Sequence, residues 1–67
     1  MEKLDKETIL STVWVCIWNA NQKKLERKVI EKFAGHNYLD ALSHVNKKAT
    51  KLGWKMKIGR KYISLTK

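Results

Sequence analysis

The chain has 67 residues, with 15 Lys and Arg against 6 Asp and Glu, for a formal charge of +9. That length allows a single domain, 1–67, which buries only about 60% of the surface its unfolded form exposes. One cysteine, Cys16, excludes an intrachain disulfide. Two separated histidines, His36 and His44, without a Cys-x-x-Cys pair give no metal staple, and no cofactor-binding pattern is present.

The placement of charge is more informative than its total. The last acid is Asp40. From Ala41 to the end stand eight basic residues: Lys47, Lys48, Lys51, Lys55, Lys57, Arg60, Lys61 and Lys67. Thr8 to Gln22, by contrast, carries no charge. Such asymmetry points to a polyanionic partner: nucleic acid, with DNA favoured over RNA, or an acidic protein surface. The apolar run Ile9–Trp18 is too short to span a bilayer and is preceded by an acidic, polar start, so neither a membrane span nor a signal peptide is expected. A cytoplasmic or nucleoid location follows as the default, or the host cytoplasm if the source is viral.

In chain order, Met1–Glu7 reads as a frayed lead-in. Thr8–Asn19 is β-branched and aromatic and reads as a strand, with Val13, Val15 and Ile17 on one face and Trp14, Cys16 and Trp18 on the other. Both faces are apolar, so a central strand is expected and Cys16 is expected to be a core thiol. Asn19–Gln22 is a turn. Lys23–Ala34 has two readings. As a helix, Leu25, Val29, Ile30 and Phe33 form a stripe that Gly35 caps. As a strand, it supplies the neighbour that the first strand needs, and the strand is the reading adopted.

His36–Gly53 reads as a helix, with Asn37 as N-cap, Asp40 in the first turn, and Leu42, Val45, Ala49 and Leu52 buried. Gly53 ends it, and Trp54 folds back on the last turn. Beyond it, apolar residues occupy even positions in Trp54–Ile58 but odd positions at Ile63 and Leu65. A two-residue hairpin turn at Gly59-Arg60, of the kind that takes glycine at its first central position, restores the phase. Ile58 would then face Lys61, Met56 would face Ile63 and Trp54 would face Leu65. A single strand bulged at Gly59 is the alternative. The expected fold is α+β, a small antiparallel sheet of three to four strands in β-β-α-β-β order with one helix on one face.

No nucleophile, base and orienting group come together in this pattern, so a binding role is expected rather than catalysis. The expected nucleic-acid surface is the hairpin's basic face and tip, Lys55, Lys57, Arg60, Lys61 and Tyr62, extended by Lys47, Lys48 and Lys51 of the helix. Lysine-rich contacts of this kind are chiefly to phosphate and give modest sequence specificity. Trp14 and Trp18 form a second candidate surface, for stacking or for anchoring a protein partner. A homodimer, which would bury more surface, stays open.

The segment Phe33-Ala-Gly-His-Asn-Tyr-Leu-Asp-Ala-Leu, leading into a helix that ends at Leu52-Gly53-Trp54, resembles small phage-encoded accessory proteins of β-β-α-β type. The likeness spans about residues 8–66 and is one of element order and composition. It implies a host-takeover role through binding a host protein, such as inhibition of RNA polymerase, and is the alternative to nucleic-acid binding.

Overall fold

A computed structural model describes residues 5–67. Its first element is a helix, α1 (Lys6–Asn19), where a strand was expected. Asp5 starts it: the carboxylate accepts the Thr8 N–H at 2.8 Å, one of the donors that a helix start leaves unpaired. Hydrogen bonding from the Thr8 hydroxyl first, and from its N–H second, holds the Asp5 carboxyl below the usual carboxylate range. Ile9, Leu10, Val13, Trp14, Ile17 and Trp18 recur at helical spacing and form one broad inward stripe, with Val13 and Ile17 fully buried. Because the run is apolar at nearly every position, it fits a two-residue period as well as a 3.6-residue one. Burial of the stripe then outweighs the β propensity of its branched residues. Lys6 and Glu7 of the expected lead-in belong to this helix, and residues 1–4 lie outside the described residues.

Cys16 points out of this stripe and is exposed, so it is not a core thiol. After α1 the chain turns through Gln22 and Lys23, both left-handed at φ 58° and 50°. Non-glycine residues pay for that conformation in sterics. Here the Lys23 ammonium donates to the Trp18 carbonyl at 3.2 Å and lies 4.2 Å from the centre of the Trp18 ring, two contacts that offset the strain.

The stretch read as a strand over Lys23–Ala34 is divided. Lys24–Glu26 is a short strand, β1, and Arg27–Ala34 is a helix, α2. Each reading of the segment is right for part of it. Gly35, at φ 57°, caps α2 and its N–H bonds the Glu31 carbonyl. A single 3₁₀ turn, Gly35–Asn37, then leads into α3 (Tyr38–Lys51). The Asn37 side chain makes no cap hydrogen bond, because the chain is already coiled as it enters α3. Asp40 sits in the first turn as expected, and Ala41, Leu42, Val45 and Ala49 are buried. Leu52 is exposed, since the helix has ended before reaching it.

The end of α3 is a two-bond cap: Gly53 N–H to Thr50 O at 3.1 Å and Trp54 N–H to Ala49 O at 2.8 Å. It needs Gly53 at φ 81°, where an added Cβ would meet nothing within 4 Å. The cost of Gly53→Ala is therefore conformational alone, about 1 kcal/mol. A urea titration should show the unfolding free energy lowered by that amount, seen as a lower midpoint with the slope unchanged.

β2 (Lys55–Ile58) and β3 (Tyr62–Thr66) form the expected hairpin. Its register is Ile58↔Ile63 and Met56↔Leu65, two residues away from the expected pairing. A shift of two keeps every side chain on its own face, so the apolar face survives. The connection is three residues, 59–61, and Gly59 is not left-handed, so the expected two-residue turn at Gly59-Arg60 is absent. Gly59 sits in a tight place instead: a Cβ there would lie 3.1 Å from the Tyr62 carbonyl oxygen, which would have to give by a few tenths of an ångström.

β3 is the central strand of a three-stranded antiparallel sheet, ordered β1-β3-β2. The fold is thus α+β with the expected antiparallel sheet, but with three helices in α-β-α-α-β-β order in place of one helix in β-β-α-β-β order. One sheet face presents Leu25, Met56, Ile63 and Leu65 to the helices, and the core lies between them: Val13, Ile17, Ile30, Ala34, Val45 and Ala49 against Ile63 and Leu65.

Candidate nucleic-acid interface

α2 and α3 are joined by the three residues Gly35–Asn37, a helix-turn-helix unit. The basic hairpin stands against its leading ends, and Arg27 holds it there. The Arg27 N–H bonds the Lys61 carbonyl at 2.8 Å. Its guanidinium donates from Nε to the Tyr38 hydroxyl at 3.1 Å and from Nη1 to the Gly59 carbonyl at 3.3 Å. Nη2 lies 4.0 Å from the Glu31 carboxylate. One side chain thereby joins the first residue of α2, the first residue of α3 and the hairpin loop. Between the start of α2 and the hairpin tip is a cleft of about 290 Å³ lined by Lys28, Arg60, Lys61 and Tyr62 with Glu26 and Arg27. Arg60 and Lys61 of the expected site fall here, beside Lys28, which the sequence reading did not single out.

The solvent side of α3 lies opposite Ala41, Val45 and Ala49. It carries Leu39, Ser43, Asn46, Lys47, Thr50 and Lys51, all exposed, with Leu39 at 75%. Thr50 donates its hydroxyl back to the Asn46 carbonyl at 2.8 Å, so that hydroxyl proton is committed. Toward α1, Asp40, Ser43, His44 and Lys47 share a shallow pocket with Lys6 and Leu10, and the Lys6 ammonium lies 2.9 Å from the Asp40 carboxylate. Leu39, Ser43 and Asn46 carry no charge, so the charge pattern of the sequence does not mark them. A helical wheel drawn from the buried stripe would have found them.

Lys55 and Lys57 stand elsewhere. With Lys24, Tyr62, Ser64 and Thr66 they share the outer sheet face, turned away from the helices. The Lys24 ammonium lies 4.8 Å from the Tyr62 ring centre. The expected basic surface is therefore divided into α3, the hairpin tip and the outer sheet.

Trp14 and Trp18 are partly buried and stacked at 5.2 Å, and Trp54 meets Trp18 edge-on at 5.4 Å. This cluster pins the end of α1 to the start of β2, each pair contributing about 0.5–1.5 kcal/mol beyond burial.

His44 is half-buried between α1 and α3, with Nε2 sealed from solvent and unpartnered. Burial first, then Lys48 and Lys47, push its pKa down. Its charged form is disfavoured in the fold, so the unfolded chain binds the extra proton. Stability is complete above the ordinary histidine value of about 6.5 and declines as pH falls through the lower folded value. Between pH 7 and pH 5 the thermal midpoint should fall further in the wild type than in His44→Gln, which carries no titrating ring.

Comparison of the chain with protein-family models, curated proteins and solved structures finds no match. Among the described residues no helix is long and apolar enough to cross a membrane.

Proposed function

We propose that this protein is a small regulatory module that binds double-stranded DNA, with α3 in the major groove and the hairpin tip on the flanking backbone. The observation that carries the reading is the anchoring of a basic hairpin tip to the leading ends of a two-helix unit through Arg27. In helix-turn-helix recognition the second helix enters the groove and its N-terminal residues meet base edges. Leu39 and Ser43 occupy those positions on α3, and Asn46 follows them on the exposed side in the second half of the helix. Asn46 suits the paired donor and acceptor of adenine, and Leu39 suits a thymine methyl. Lys28, Lys47, Lys51, Arg60 and Lys61 supply phosphate contacts, so affinity owes more to charge than to sequence. B-form DNA admits a helix in its major groove, and the deep, narrow groove of A-form RNA does not. That supports DNA over duplex RNA.

Five such contacts give a slope of log affinity against log salt of about −4.5. Fluorescence anisotropy on a DNA duplex across a salt series measures it. The double variant Arg60→Ala/Lys61→Ala should reduce the slope by about 1.8. Lys55→Ala/Lys57→Ala, on the outer sheet face, should leave both slope and affinity nearly unchanged. Binding that ignores salt, or tighter binding to duplex RNA, would overturn the proposal.

A further inference from the structure

The outer face of the sheet has no part in the duplex reading, and it is turned away from the helices. Strand pairing places Lys24 of β1 and Lys57 of β2 on either side of Ser64, about 10 Å apart across β3. Lys55 stands beside Thr66, about 7 Å along β2 from Lys57. Among the described residues none of these three lysines forms an ion pair. Tyr62, on the same face of the central strand, is 41% exposed, and the Lys24 ammonium is the cation beside its ring, 4.8 Å from the centre. Glu26, opposite Tyr62, is the one acid among the strand residues of this face.

We infer that this face binds a single strand of DNA, with a base stacked on Tyr62 and the phosphates along the lysines. Charge and the ring together identify the occupant. Three ammonium groups around the Ser64 and Thr66 hydroxyls complement a phosphodiester chain. An exposed ring beside an ammonium matches the two parts of a nucleotide, a base to stack and a phosphate to neutralise. An acidic protein surface would answer the lysines and leave the ring uncovered. Glu26 repels phosphate from the neighbourhood of the ring and so leaves the ring to a base. In a duplex the bases are stacked on one another, and only a single strand has a base free for Tyr62. Tyr62 adjoins Arg60 and Lys61 of the hairpin tip. The choice of DNA over RNA rests on the duplex reading, in which that tip lies on DNA backbone.

Fluorescence anisotropy of a labelled oligo-dT tests the face separately from the duplex reading. Three phosphate contacts on a single strand give a slope of log affinity against log salt of about −2.1, and Lys55→Ala/Lys57→Ala should bring it to about −0.7. Tyr62→Thr, at an exposed strand position, should keep the circular dichroism spectrum and weaken oligo-dT binding about fivefold or more, and Tyr62→Phe, which keeps the ring, should restore it. If the duplex reading alone fails, duplex binding is absent and these oligo-dT results still stand. No binding of oligo-dT, tighter binding of oligo-rU, or oligo-dT binding indifferent to both the lysine and the Tyr62 variants overturns the inference.

Discussion

If α3 and the hairpin tip bind DNA as proposed, Arg27→Met is expected to weaken that binding as much as removing the hairpin's own cations does, although Arg27 need not touch DNA. Methionine keeps the unbranched stem and removes the donors to the Tyr38 hydroxyl and the Gly59 carbonyl, two bonds that hold α3 and the hairpin in fixed relation. The backbone bond from Arg27 to Lys61 remains, so the strands still pair. The tip then loses its orientation, and with it the contacts of Arg60 and Lys61. A residue that merely contacts one phosphate would lower the salt slope by about 0.9, whereas a residue that positions two others lowers it by about 1.8. Adding Arg27→Met to the Arg60→Ala/Lys61→Ala background should cost little more, because the contacts it positions are already gone. A slope change of about one unit, additive with the tip variants, would make Arg27 an ordinary phosphate contact. Tyr38→Phe removes one acceptor and should reproduce part of the effect.

Ile63→Ala is expected to leave the domain largely unfolded at 25 °C. Ile63 is completely buried on the central strand, between Leu25 on β1 and Ile58 on β2. Truncating a buried isoleucine costs about 2–5 kcal/mol. A domain below about 70 residues commonly has only about 3–5 kcal/mol to lose. Circular dichroism and urea titration should show the native signal strongly reduced or the midpoint moved far toward zero. Leu39→Ala removes a similar side chain from a position 75% exposed. It should leave the midpoint within about 0.5 kcal/mol of wild type, while weakening DNA binding if α3 reads the groove.

The C-terminal half was the more legible in the sequence. Gly53 after a lysine-rich stripe announced the end of α3, and the capping bonds to Thr50 and Ala49 lie where that reading puts them. The change of apolar phase around Gly59 revealed the hairpin. It did not give the loop length, because registers two residues apart share the same faces; the one that forms is closed by the Gly59 N–H to Tyr62 carbonyl bond at 2.8 Å. The N-terminal half misled for a physical reason. In Ile9–Trp18 nearly every residue is apolar or small, so neither period is excluded. Asp5, outside the run, caps the helix by accepting the Thr8 N–H, but burial of the stripe in the shared core is what decides between the periods.

The candidate site divides the same way. Charge counting found Arg60, Lys61, Lys47 and Lys51, because an excess of lysine and arginine needs no fold to be seen. It placed Lys55 and Lys57 with them, and the sheet turns those two to another face. Leu39, Ser43 and Asn46 carry no charge and stand out only once the buried side of α3 is known.

By itself, then, the sequence determined the strongly basic character of the second half, the uncharged stretch before it, the third helix and the hairpin. Each of these depends on residues near one another in the chain. The tertiary structure alone decided that the apolar first segment is a helix, since what it buries comes from β3 and α3. It alone decided that the basic residues form separate surfaces, since side chains far apart in sequence share a face only through packing. It also revealed the role of Arg27, whose partners Tyr38 and Gly59 lie 11 and 32 residues away along the chain. No local pattern records a contact of that span.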